Sequence, residues 1–297
     1  MTWKAILELC RIPNVFTAFA NVAAGVVLAR RGAFELEDVR LVLGSGLLYC
    51  SGMVLNDTFD RHVDADERPE RPIPSGRVSP SAAAALGTVL MAVGVGLCAA
   101  ASPSSRNIAL ALAAAILIYD GGAKRTALGP VAMGACRSLN VALGLSVSID
   151  WTAWMWTAPV TMGLYTAVIT YLARDEVVSS PGGSARVRLQ AGVVLMAVLA
   201  ASFALAFSAV APARHLPGVL FALPFMAFVM IRGASLFRPL WSDPSGPMIG
   251  RAIGGGILLM PVIDATIVAG AGYPAAAVLV AGFCLPAIAL ERAFYVT

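Results

Sequence analysis

Asn56-Asp57-Thr58-Phe59-Asp60-Arg61-His62-Val63-Asp64, continued by Ala65-Asp66-Glu67-Arg68-Pro69-Glu70-Arg71-Pro72-Ile73-Pro74-Ser75-Gly76-Arg77, decides how the rest of the chain is read. Six of the 17 acidic residues stand in this stretch beside four arginines, between an apolar run at Leu41–Leu55 and a second at Ala82–Ala101. A carboxylate drawn into a bilayer costs ~2.5–3.5 kcal/mol, so ionisable residues at the end of an apolar helix are read as functional. At about 100° per residue, Asp57, Asp60 and Asp64 fall on one helical face. Asn56 stands one turn before Asp60, and Arg68 one turn after Asp64. Three carboxylates on one face repel unless a cation lies between them. Oxygen-only ligands suit Mg²⁺ or Mn²⁺, and Mg²⁺ takes one or two carboxylates plus substrate phosphates and waters. The neighbouring arginines offer planar forks for phosphate oxygens, so the pattern fits a diphosphate gripped through a metal. The plain alternative is a solvated loop helix with local ion pairs.

Outward from this stretch the chain is apolar. Of 297 residues, 59% are hydrophobic and 13% charged, against roughly 25% charged in soluble proteins. Apolar runs of about 20 residues make it a polytopic all-α membrane protein. Candidate spans are 13–30, 39–57, 80–101, 107–119, 131–149, 155–173, 187–211, 217–234, 249–270 and 274–292, so a bundle of nine to ten helices is expected. The five cysteines lack metal-ligand spacing and read as packing residues. Lys4, Glu8 and Arg11, followed by Pro13, argue against a cleavable signal peptide. No nucleic-acid partner is expected.

If the amino terminus is cytoplasmic, only Arg30, Arg31, Arg40, Arg106 and Arg214 lie outside, and the other 16 of 21 basic residues lie inside, as the positive-inside rule requires. Every even-numbered span then ends at the cytoplasmic face with polar residues: Asn56-Asp57, Tyr119-Asp120 before Lys124-Arg125, Arg174-Asp175-Glu176, and Arg232, Arg238, Asp243 and Arg251. The chemistry is therefore expected at one cytoplasmic mouth of a central cavity in the cell inner membrane. In the first span Arg11, Asn14, Thr17 and Asn21 form a polar stripe, read equally as cavity lining or interhelical bonding. Arg137 and Asn140 are candidates for a cavity wall or for structural pairing. Asp264, deep in the ninth span, carries no assigned role.

These residues resemble a known family. Asn56-Asp57-x-x-Asp60-x-x-x-Asp64, followed by Arg71-Pro72-Ile73-Pro74-Ser75-Gly76, is similar to the first aspartate motif of the UbiA superfamily of intramembrane prenyltransferases. Arg11-x-Pro13-Asn14 resembles the start of that family's first helix, and Lys124-Arg125 the basic pair after its fourth. The likeness covers roughly residues 11 to 180. It implies a single transmembrane prenyltransferase-like domain over 1–297 that moves an isoprenoid chain from a prenyl diphosphate to a lipophilic or aromatic acceptor and releases pyrophosphate. It further implies Mg²⁺ bridging from Asp57, Asp60 and Asp64 to the diphosphate. Lys124, Arg125, Arg68 and Arg71 would neutralise the leaving group, with Arg11, Asn14 and Asn56 beside it. Asp175, with Glu176, would support a second metal. The second motif departs from the family: Asp175 and Glu176 are adjacent rather than four apart, and position 179 is Ser179. The family's tyrosine four residues before the lysine is replaced by Asp120.

An allylic cation needs a dry chamber, which Phe16, Phe19, Tyr49 and Tyr165 are expected to line, since aromatic faces stabilise cations. Two rivals stay open. A membrane terpene cyclase on the same scaffold would need no acceptor. A transporter or lipid-binding protein would instead show broken helices near the bilayer midplane. Phosphatidyl-alcohol transferases are disfavoured because Arg61-His62-Val63 follows Asp60 where they continue Asp-Gly-x-x-Ala-Arg.

Overall fold

The computed structural model describes residues 2–148, 150–174, 192, 212–242 and 245–291, with backbone alone over 211–216 where it is described. Asp175, Glu176, Asp243 and, residue 192 apart, the expected span at 187–211 lie outside the described residues.

The described chain is helix and turn, with no strand among the described residues. In order come α1 (Trp3–Leu9), α2 (Ile12–Ala29), α3 (Val39–Phe59), α4 (Arg61–Glu67), α5 (Pro80–Ala99), α6 (Pro103–Gly121) and α7 (Gly129–Leu145). Then follow α8 (Thr157–Ala173), α9 (Pro212–Phe237), α10 (Gly246–Gly270), α11 (Pro274–Gly282) and α12 (Cys284–Glu291). Serine and proline punctuate the helix starts. Ser79 and Ser102 accept from the amides of Ala82 (3.3 Å) and Ser105 (3.0 Å), each followed by a proline at the first helical position. Such a proline costs no helical bond because its missing N–H is one of the unpaired donors of the first turn.

Six described segments are long and apolar enough to cross a membrane: 12–29, 36–59, 80–99, 217–241, 246–270 and 274–291. The last is split at Phe283 into α11 and α12. The segments differ in surroundings. Some 72% of the apolar window of α2 and of α10 is buried, against 17% in 217–241 and in 274–291. The two buried helices run through the middle, packing on each other and on α7 and α8. The peripheral ones expose Val89, Phe221, Ile231 and Leu279. Water would penalise that surface and lipid does not, so the chain is an integral membrane protein.

Helix approach is closest where side chains vanish. At the α2–α7 crossing, a Cβ on Gly25 would strike the Val141 carbonyl, and one on Gly144 would strike that of Val22. In a membrane such small-residue contacts supply the van der Waals packing that draws helices together. Polar side chains pin neighbouring crossings: Ser45 Oγ donates to Asn140 Oδ1 at 2.6 Å, and Ser51 Oγ to the Gly87 carbonyl at 2.7 Å. The glycines singled out by sequence divide. Gly94 abuts Gly44 of α3, whereas Gly96 and Gly254 have nothing within 4 Å of an added Cβ.

Candidate active site

The site begins where α3 ends. Phe59 is its last residue, and Asp60 (φ −89°, ψ 3°) joins it to the short α4. The bonds Asp60 N–H to Asn56 O (2.9 Å) and Asp64 N–H to Asp60 O (2.8 Å) carry helical spacing through the joint. Asp57, Asp60 and Asp64 therefore stay near one another but take different partners. After α4 the chain doubles back through Arg71–Gly76. There Ser75 N–H and Oγ donate to the Arg71 carbonyl (3.0 and 2.6 Å), and Val78 N–H donates to that of Pro72 (3.0 Å). Buried Ile73 and Val78 anchor the loop in a core with Val54 and Leu9. Arg71 is aimed by that packing.

Two half-rings result. In the first, Arg71 Nη1 donates to Asp64 Oδ1 (3.0 Å), Asp64 Oδ2 (2.8 Å) and Asp57 Oδ1 (3.3 Å), and Arg11 Nη2 donates to the same Asp57 oxygen at 3.1 Å. The carboxylates of Asp57 and Asp64 are only 6% and 4% exposed. Arg11 holds the left-handed backbone conformation (φ 46°, ψ 53°) just before α2, a geometry costing a non-glycine residue about 1–2 kcal/mol. Strained residues of this kind cluster at functional sites.

In the second half-ring, Lys124 Nζ donates to Asp60 Oδ2 at 2.6 Å and lies 3.9 Å from Asp120 Oδ1. Arg125 Nη2 reaches Asp60 Oδ1 at 3.3 Å, and Asn56 Nδ2 donates to Asp120 Oδ1 at 2.8 Å. The Lys124-Arg125 turn is fastened from α8, whose Arg174 Nη2 donates to the carbonyls of Lys124 (3.0 Å) and Thr126.

A cavity of about 290 Å³ borders the two half-rings, touching the first through Arg11 and the second through Asp120. Arg11, Asn14, Met53 and Asp120 line its mouth side, and Tyr49, Arg137 and Asn140 line it farther along the same helices. The aromatic expectation is corrected here. Phe16 and Phe19 pack edge-on against each other (centroids 5.5 Å) and Phe19 against Phe283 (6.2 Å), while buried Tyr165 donates to the Gly256 carbonyl at 2.7 Å. The cavity's aromatics are Tyr49 and Tyr119. The apolar stripe of a membrane helix marks a packing face and cannot say which packing face borders a void.

The sequence-derived residues are thus distributed as follows. Asp57, Asp64, Arg11 and Arg71 meet in one half-ring, Asp60, Lys124, Arg125 and Asn56 in the other, and Asn14 lines the cavity. Arg68 makes no ion pair among the described residues, because its backbone (φ −144°) leaves the helix at that point. Asn56 bonds Asp120 rather than the three aspartates. Asp120 is the functional candidate the motif reading passed over, noted only as a departure. Its place four residues before Lys124, one helical turn, was the available signal.

The donor set can be tested against a divalent cation. No three Asp, Glu, His or Cys side chains among the described residues converge as a ready metal cage. Asp57 and Asp64 nevertheless turn three oxygens onto one nitrogen of Arg71, at 2.8–3.3 Å, so a positive centre between them is already accommodated. Two carboxylates completed by substrate oxygens and water is how Mg²⁺ is held, and the oxygen-only set fits it.

Comparison with known proteins agrees with this geometry. Residues 18–245 match the UbiA prenyltransferase family. The chain is 30% identical over 253 residues to the digeranylgeranylglyceryl phosphate synthase of Methanopyrus kandleri, covering 80% of this chain and 90% of that one. It is 31% identical over 146 residues to the enzyme of that name from Saccharolobus solfataricus, a match spanning 48% of this chain and about half (52%) of the relative. The structure of a UbiA homologue from Archaeoglobus fulgidus bound to DMAPP and Mg²⁺ superposes with a TM-score of 0.62 at 15% identity, covering 86% of this chain and 98% of that one. The chain described here belongs to the UbiA prenyltransferase family.

Proposed function

We propose that the protein moves an isoprenoid chain from a prenyl diphosphate to a lipophilic acceptor carrying a nucleophilic oxygen or aromatic carbon, with release of pyrophosphate. The site is a Mg²⁺- or Mn²⁺-assisted one at the cytoplasmic mouth of a nine- to ten-span bundle. One observation carries the reading. Four acids (Asp57, Asp60, Asp64, Asp120) and four bases (Arg11, Arg71, Lys124, Arg125), drawn from separate helices and loops, pair at the end of α3, and Arg11 and Asp120 among them line one cavity. The activity named for the relatives, and the DMAPP and Mg²⁺ of the Archaeoglobus neighbour, support donor and metal. The relatives' glyceryl phosphate product supports a lipid-type acceptor as readily as an aromatic one.

Asp57 and Asp64 would hold the cation, which supplies Lewis-acid polarisation of the diphosphate. The chain's own residues do the rest. Lys124 and Arg71, drawn from Asp60 and Asp64 onto phosphate oxygens, stabilise the charge that grows on the leaving group as the C–O bond lengthens. Asp60 and Asp120 keep Lys124 oriented before substrate arrives. The face of Tyr49 and the apolar walls at Ile116, Ile169 and Met260 exclude water from the allylic carbon. Asp175 with Glu176, following α8 in sequence, is proposed as a second carboxylate pair.

Purified protein in nanodiscs, given a series of prenyl diphosphates with Mg²⁺, tests the reading. Prenylated acceptor with stoichiometric pyrophosphate is expected, and EDTA should stop it. Cyclic hydrocarbon formed without acceptor would replace transferase by cyclase. No Mg²⁺-dependent binding of any prenyl diphosphate would end both readings.

A further inference from the structure

Prenyl transfer sheds a proton, and the groups that grip the diphosphate have no place for it. A hydroxyl or an aromatic ring position carries a hydrogen that must leave when it bonds to the allylic carbon. Asp57, Asp60 and Asp64 are already occupied, by Arg11 and Arg71 on one side and by Lys124 and Arg125 on the other. None of the three lines the cavity.

The cavity wall narrows the choice. Among the described residues its polar side chains are arginine, asparagine, tyrosine, serine, threonine and cysteine, with a single carboxylate, Asp120. Arginine stays protonated, amides do not take up protons, and neutral hydroxyls and thiols are weaker bases than a carboxylate. Asp264, the acid deep in α10, stands behind the wall. Asn21 Nδ2 donates to its Oδ2 at 2.6 Å, and Arg137 Nη1 donates in turn to Asn21 Oδ1 at 3.2 Å. Asp264 is wholly buried and is not part of the cavity lining.

Asp120 is held as a base needs to be. Asn56 Nδ2 donates to its Oδ1 at 2.8 Å, and Lys124 Nζ lies 3.9 Å from the same oxygen. Its Oδ2 has no hydrogen-bond partner among the described residues, and the side chain borders the cavity. One oxygen is thus fixed while the other is left for whatever fills the void. Lys124, one turn further on, rests on Asp60 at 2.6 Å. The group that takes the proton and the group that meets the pyrophosphate charge therefore stand side by side.

We propose that Asp120 is the general base of the transfer, the catalytic residue whose Oδ2 takes the acceptor's proton, and that Asn56 is the positioning residue that holds its other oxygen. The acceptor's oxygen or ring carbon bonds to the allylic carbon, while the allylic C–O bond breaks and its electron pair leaves on pyrophosphate. The acceptor's proton passes to Asp120, which goes from carboxylate to carboxylic acid and then gives the proton to water as pyrophosphate departs. Before the proton moves, the same carboxylate attracts the allylic cation. This rests on the prenyl-transfer reading and adds to it the destination of the proton.

Geranyl diphosphate carrying ¹⁸O in its C–O bridge separates breaking of that bond from loss of the proton. Ionisation and return scramble the label into the neighbouring phosphate oxygens without any proton transfer. The full chain in nanodiscs with Mg²⁺ is given this donor with water alone, with a monoalkylglyceryl phosphate, or with 4-hydroxybenzoate. Asp120→Asn keeps an oxygen to accept from Asn56 and leaves Lys124 on Asp60. Product formation should fall about 10²- to 10⁴-fold, the contribution of a positioned base, while scrambling stays at or above the wild-type rate. Asp120→Glu keeps the carboxylate but displaces it, and should lose less product formation with scrambling likewise preserved. Product formation retained in Asp120→Asn overturns the inference. So does loss of scrambling together with product in a variant that still binds geranyl diphosphate. Should Asp120→Asn fail to fold, Asp120→Glu decides: product and scrambling both unchanged, or both lost, overturn the assignment. A wild type that neither binds nor converts geranyl diphosphate ends the donor reading and this one with it. A wild type that converts it equally well without the Asp120 carboxylate ends this one alone.

Discussion

Two clusters of acids and arginines sit at opposite ends of α3, and they are built on different plans. At its start, Arg30 Nε meets Asp38 Oδ2 at 2.8 Å and Arg30 Nη1 meets Glu35 Oε1 at 2.8 Å, while Glu35 N–H donates to Asp38 Oδ2 at 2.8 Å. Every partner lies within eight residues, and the hydrogen bonds close a capping box around the 36–38 turn. At its end, Asp57 is bonded from Arg11 and Arg71, and Asp60 from Lys124 and Arg125, across sequence gaps of 14 to 65 residues. The first cluster satisfies itself and closes a loop. The second faces a cavity and balances its charges with groups brought from several elements. An ion cluster that is complete within one turn of chain reads as structure. One that needs four segments and borders a void reads as a site.

The largest effect expected from this contrast is at Asp60. Asp60→Ala removes the acceptor of both Lys124 and Arg125, and should reduce turnover below about one-thousandth of wild type. Insertion and melting behaviour should stay near those of the parent. Retained activity, measured as pyrophosphate release, would dissolve the distinction between the two ends of α3. Lys124→Met comes next, with a loss of about 10²-fold in kcat, the size found on deleting one preorganised donor to a developing anion. A change confined to the KM of the donor would make Lys124 a binding group only.

At the opposite end the currency becomes stability. Arg30→Met strips the partner from Asp38, whose side chain is 2% exposed, and removal of one member of a buried pair is costly. Arg30 is itself 26% exposed, so the loss should be about 2 kcal/mol, seen as a lower thermal midpoint with turnover unchanged.

Much of this was legible in the chain before folding. The apolar runs gave the class, and the positions of Asp57, Asp60, Asp64 and Arg71 gave the mouth, because motif and helical register are local properties. What stayed hidden was tertiary. A count of i, i+3, i+7 places three acids on one face, yet it cannot show that Arg71 would return from a Pro-rich loop to take two of them while Lys124 crosses from α6 to take the third. Asn56 could be placed beside Asp60 by spacing, but its bond to Asp120 depends on how α3 meets α6. Phe16 and Phe19 misled for the opposite reason: in a membrane bundle both sides of a helix are apolar, so periodicity alone cannot tell void from neighbour. Arg137, Asn21 and Asp264 were visible one by one as polar residues in apolar spans, and only the crossing of α2, α7 and α10 joins them.

The smallest effect sharpens the comparison most cheaply. Glu37 and Arg40 form an i,i+3 pair at 3.5 Å one turn from the Arg30 cluster, with side chains 76% and 37% exposed. By sequence the two pairings look alike, acids and arginines a few residues apart at the start of α3. Solvent separates them. An exposed pair gains little Coulomb energy in water and surrenders side-chain freedom to form, whereas Asp38 is sealed. Glu37→Gln should therefore move the thermal midpoint by the equivalent of less than about 0.5 kcal/mol. Arg40 keeps its other bonds in that variant, to the carbonyls of Glu37 and Ala100 at 3.1 and 3.0 Å, so the measurement isolates the ion pair from the cap on α5. A loss matching that of Arg30→Met would mean that burial does not govern these charges. The argument that sets the mouth of the cavity apart from the far end of α3 would then have to be made on chemistry alone.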